Sequence, residues 1–97
     1  MINPKTLELK YAKLTIRKLE RANDGELYLH LSGFIFHSSM AVESVRVVRN
    51  GVTQHVLISL VPVRKGKDGN FDVRVPLTHE TDTVVFGEPP EQVWPEG

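Results

Sequence analysis

Between residues 45 and 77 apolar and polar positions trade places with a period of two. Phe71, Val73, Val75 and Leu77 alternate strictly with Asp72, Arg74 and Pro76. Such a period turns one side of a strand toward a core and the other toward water. Asn50-Gly51 stands between β-branched runs and predicts a two-residue hairpin of type I′, with positive φ at both central positions. In that register Val45 faces Val56 and Arg46 faces His55. Val45, Val47, Val52, Val56, Ile58 and Leu60 then share one face. The other face carries Arg46, Val48, Thr53 and His55, followed by Leu57, Val61 and Val63, more apolar surface than a wet face needs. Lys67-Asp68-Gly69-Asn70 predicts a second turn, and the whole stretch reads as an antiparallel meander.

Upstream, Leu27, Leu29, Leu31 and Ile35 share one face of a strand over residues 26–37, and Tyr28, His30, Ser32, Phe34 and Phe36 share the other. Gly33 sits where the apolar weight spreads from one face to both, a position that marks a bulge or a close backbone approach. Residues 6–22 alternate as a strand in two halves of opposite phase, so a bulge or bend is expected near Ala12-Lys13. Their composition also suits a helix, but a strand pairs better through Asn23-Asp24-Gly25. A two-residue Asp24-Gly25 turn sets Leu14 opposite Ile35, Ile16 opposite Gly33 and Lys18 opposite Leu31. Residues 37–41 form a connection that can cross between sheets. A short last strand follows at residues 83–86.

These segments predict an all-β fold in one domain over residues 1–97. Residues 1–5 are a loose N-terminus and residues 87–97 a proline-rich acidic tail. The expected architecture is an antiparallel sandwich of about seven strands, Ig-like or prealbumin-like in general type. A small OB-like barrel, or an α+β domain with an N-terminal helix, are the alternatives. The stretch from Gly66 to Val73, GKDGNFDV, resembles the Gly-x-Phe-x-Val turn-strand of bacterial Ig-like and prealbumin-like modules. That resemblance implies a sandwich and no catalytic residue.

Composition changes the picture in a few respects. The chain has no cysteine, which excludes disulfides, thiolate metal sites and thiol nucleophiles. Its 97 residues suffice for a core without staples. The N-terminus holds no apolar run fit for a signal peptide or a membrane span, so a cytoplasmic location is expected. Net charge is zero but uneven: residues 1–79 hold all 12 Lys/Arg against 7 Asp/Glu, and residues 80–97 hold 5 Asp/Glu and no cation.

Catalytic patterns are sparse. His30, His37, His55 and His79 fit no metal-binding spacing. His79-Glu80 with Asp82 reads as a solvated loop cluster, and His55 as a surface partner of Arg46. Ser38-Ser39 beside His37 has no orienting third group. Lys65-Gly66-Lys67-Asp68-Gly69 lacks the spacing and following helix of a phosphate loop and reads as a hairpin turn. No enzyme, cofactor or metal is expected.

The leading expectation is a non-enzymatic protein-binding or assembly module, with a protein partner or self-association through Leu57, Val61, Val63 and Trp94. A lone tryptophan in a proline-rich tail either docks back on the body, over those three aliphatics, or anchors a partner. The alternative is single-stranded nucleic-acid binding by Lys13, Arg17, Arg21, Tyr28 and Phe34 on one strand face. Neutral charge, the acidic tail and the ordinary placement of Phe34 and Phe36 in a core weigh against it.

Overall fold

The computed structural model describes residues 5–36, 39–63, 66, 68–79 and 82–95. Strands follow the period-two segments: β1 (Lys5–Thr6), β2 (Ala12–Arg21), β3 (Leu27–Ile35), β4 (Met40–Asn50), β5 (Thr53–Pro62), β6 (Asn70–Leu77), β7 (Thr83–Phe86) and β8 (Glu91–Trp94). Seven of them have four residues or more, and β1 has two. They form two sheets. β3 lies between β2 and β6 in a three-stranded sheet, and β5 pairs with β4 on one side and with β1 and β7 on the other, β8 closing that edge. The fold is an all-β sandwich, and the one helical element among the described residues is a 3-10 turn at Leu9–Tyr11.

The inward residues of both sheets make one core. Leu29, Leu31, Ile35, Phe71, Val75 and Leu77 of the three-stranded sheet meet Val56, Ile58, Leu60, Val84, Phe86 and Val93 of the other, with Leu7 between strands. Phe71 and Phe86 join the two layers, their ring centres 5.8 Å apart. The alternation read at residues 70–77 holds: Phe71, Val75 and Leu77 are buried and Val73 half-buried, while Asp72, Arg74 and Pro76 are exposed. Pro76, which cannot donate to a ladder, sits on an edge strand.

Several expectations are corrected. The β4–β5 turn is Gly51-Val52, with Asn50 opposite Thr53; Gly51 alone takes positive φ, 62°, so the turn is of type II′ rather than I′. The register moves by two residues. Val45 therefore faces Ile58, and His55 faces Val48 instead of Arg46. An even shift keeps each side chain on its expected face, so the inward set is unchanged except for Val52, which lies exposed in the turn. The segment after β5 is no hairpin: β5 and β6 belong to different sheets, and the chain crosses there, as it does after β3 and after β6. With β6 interposed in the other layer, β7 returns parallel to β5. Lys65 and Lys67 of the expected turn, like His37 and Ser38 of the first crossing, lie outside the described residues.

The β2–β3 loop is one residue longer than expected. Ala22 N–H donates to Glu26 O at 2.8 Å, and Gly25 N–H to Ala22 O at 2.9 Å. This odd shift flips faces: Ile16 stands opposite Ser32 and Lys18 opposite His30. The phase change in the N-terminal segment is real but divided, with the 3-10 turn at Leu9–Tyr11 and a bulge between Leu14 and Ile16. The proline-rich tail contributes to the larger sheet. Its prolines flank a strand, β8, that pairs with β7 as an edge.

Candidate functional site

Gly33 and the β2 bulge shape a surface of exposed aromatic and aliphatic side chains. A Cβ on Gly33 would run into the Lys13 carbonyl oxygen, so only glycine admits the close approach of β2 here. Thr15 occupies the bulge, its hydroxyl donating to Ser32 O at 3.2 Å, and Ile16 is turned outward. Beyond the bulge Lys13 lies opposite Phe34, and Phe36 N–H donates to Tyr11 O at 2.7 Å, setting Tyr11 across from Phe36. Tyr11, Ile16, Phe34 and Phe36 are 39, 40, 37 and 59% exposed. The Phe34 and Phe36 rings meet edge to face at 5.3 Å, and the Lys10 ammonium stands 5.2 Å from the Tyr11 ring centre. The shallow depression beside them is lined by Thr15, Ser32, Phe34, Asn70 and Asp72.

The other half of the same face is polar. His30, in the central strand, lies between the Asp72 carboxylate (Nε2 to Oδ1, 2.6 Å) and that of Glu20 (Nδ1 to Oε1, 3.4 Å). The Arg74 guanidinium stacks over Tyr28 at 5.7 Å. Ser32, the hydroxyl nearest in register, donates to Phe71 O at 3.2 Å. That bond turns its hydrogen away from His30, so the pair is not aligned as a nucleophile and its base.

The structure separates residues that the sequence grouped. Trp94 lies opposite Val84, on the inward face that also holds Gln54, and packs against the core. Leu57 and Val61 are half-buried on the outward face of the same sheet, and Val63 is exposed beyond the end of β5. Trp94 therefore docks on the body, but not over those three. Of the cationic set, Lys13 shares the outward face of the three-stranded sheet with Tyr28 and Phe34. Arg17 and Arg21 pair with Leu31 and Leu27 on the inward side; Arg17 reaches across to Val93 O at 3.4 Å. Phe34 and Phe36, expected in the core, are outside it. The shift of apolar weight to both faces at Gly33 was the signal for that.

His55 donates through Nε2 to Gly87 O at 2.7 Å, tying β5 to the turn after β7. Asp82 is buried, not solvated. Its Oδ2 accepts from Thr78 N–H and Thr78 Oγ1–H, both at 2.8 Å. The Thr78 backbone bond holds the Asp82 carboxyl below its ordinary value of 3.8, against the opposing effect of burial. Glu80 lies outside the described residues. Among the described residues no group of three or more His, Asp or Glu is placed to hold a metal ion, and no helix is long and apolar enough to cross a membrane. Comparison with protein families, curated proteins and solved structures found no match to this chain.

Proposed function

We propose that this chain is a non-enzymatic protein-binding module, and that its docking surface is the aromatic end of the three-stranded sheet. The carrying observation is the side-by-side exposure of Tyr11, Ile16, Phe34 and Phe36. Contiguous aromatic surface is costly to leave in water and is enriched where proteins meet. The Lys10 and Lys13 ammonium groups at its margin supply a polar rim. The Leu57, Val61 and Val63 face is the lesser candidate, since two of the three are half-buried where they stand. A cytoplasmic setting is part of this proposal.

A photo-crosslinking residue at position 36, in the cell of origin, is expected to give a discrete protein adduct that Phe34→Ser abolishes. The same residue at position 48, on the other sheet, is expected to give none. Equal labelling from both positions would contradict the proposal.

Single-stranded nucleic acid is the second reading. It is favoured by one feature, the Lys10 and Lys13 cations interleaved with Tyr11 and Phe34. Salt-dependent binding of an oligonucleotide that Phe34→Ser weakens would turn the assignment that way.

A further inference from the structure

At the end of β3 away from the aromatic patch, the two sheets part around a cleft of about 700 Å³. The volume is in the range of small-ligand sites, roughly 300–1,000 Å³. Its lip carries Arg21 from β2, Arg49 from β4 and His79 from the loop after β6. Glu26 is the one carboxylate among its described lining residues. The two arginines thus come from different layers of the sandwich. Arg21 donates to Gly25 O at 2.8 Å, which holds its guanidinium at the lip. Thr78, also at the lip, is fixed by its two bonds to Asp82.

A row of residues runs across the larger sheet from Arg49. In register across the larger sheet, Arg49 pairs with Gln54, Gln54 with Val84, and Val84 with Trp94. Gln54 is 1% exposed, and its Nε2 has no hydrogen-bond partner; Trp94 Nε1 is likewise buried and without one. Buried donors left without acceptors are rare in folded proteins. Gln54 is the cross-strand neighbour of Arg49, while neither it nor Trp94 lines the cleft itself.

We propose that this cleft binds a small oxyanion-bearing molecule, its phosphate or carboxylate group held between Arg21 and Arg49. Guanidinium groups suit that chemistry because their planar N–H forks match two oxygens at once. His79 adds a polar contact at the rim, and Leu27 and Leu77 give the remainder of the molecule an apolar wall. The site is independent of the aromatic docking surface.

The test is an NMR titration of the labelled protein with pyrophosphate and, separately, citrate, each against sodium chloride at matched ionic strength. Saturable shifts are expected at the backbone amides of Leu27, Arg49, Thr78 and His79, which line the cleft. Which of the two probes saturates tells phosphate from carboxylate. Arg49→Gln is expected to weaken binding about tenfold, the loss of a charge-assisted bond. Arg46→Gln, on the outward face of the same strand, is expected to leave it unchanged, with both variants retaining the parent spectrum elsewhere. Shifts that rise linearly with both probes, or binding that Arg49→Gln leaves intact, would overturn the site.

Discussion

A methyl group at position 33 would have to share space with the Lys13 carbonyl oxygen. Gly33→Ala is therefore expected to lower the unfolding free energy by about 1–3 kcal/mol, the usual cost of overpacking, measured by urea denaturation; an unchanged midpoint would contradict the bulge geometry. Gly33 was legible from the chain alone because a strand tolerates glycine poorly unless something approaches it. Asp82 was not legible. It is one carboxylate in a polar loop, and its burial depends on Thr78 folding back over it, a tertiary event with no periodic trace. Because its native pKa lies below the ordinary value, Asp82 stabilises the fold above that value and ceases to do so as pH falls through the lowered one. Asp82→Asn should thus lower the melting temperature at pH 7, and the gap to the parent should narrow as the pH is brought down past the ordinary carboxyl value of 3.8. A pH-independent gap would show that ionisation at Asp82 is not what binds the loop.

Among the elements, the faces were easier to read than the registers. A turn displaced by two residues leaves every side chain on its side, so the β4–β5 core set survived a misplaced turn. The β2–β3 loop is displaced by one, and that single residue carried Ile16 out of the core and brought Lys18 beside His30. Crossings between sheets were harder still, because a polar Gly-Asp-Asn stretch serves a hairpin and a crossing equally well. The prolines of the tail hid β8 for a similar reason: they exclude a central strand, yet they can bracket a short edge one. Val93 in that strand is 1% exposed and covers the core beside Val84 and Phe86. Ending the chain at Gly87 should cost about 3 kcal/mol or more, from the apolar area of Val93 and Trp94 alone. Calorimetry checks this; a truncated chain that melts with the parent would mean β8 adds nothing to the fold.

At the scale of the whole molecule, the sandwich keeps two kinds of surface apart along one central strand, β3. Aromatic side chains cluster at one end and cationic ones converge at the other. The general fold was readable because period-two burial is a property of neighbours in sequence. The alignment of Phe34 and Phe36 on one strand face was readable too, but the gathering of Tyr11 and Ile16 beside them, and of Arg21 with Arg49, was not, because it depends on the exact loop lengths. A docking role for β3 requires that the aromatic end face outward. The chain has four phenylalanines: Phe34 and Phe36 are 37 and 59% exposed, Phe71 and Phe86 are 5 and 0%. Fluorine NMR of the protein labelled with 4-fluorophenylalanine, with a soluble paramagnetic agent added, reads each ring's access to water. Two resonances, assigned by substitution to Phe34 and Phe36, should broaden while the other two stay sharp. Four sharp resonances, or four that broaden together, would contradict the account.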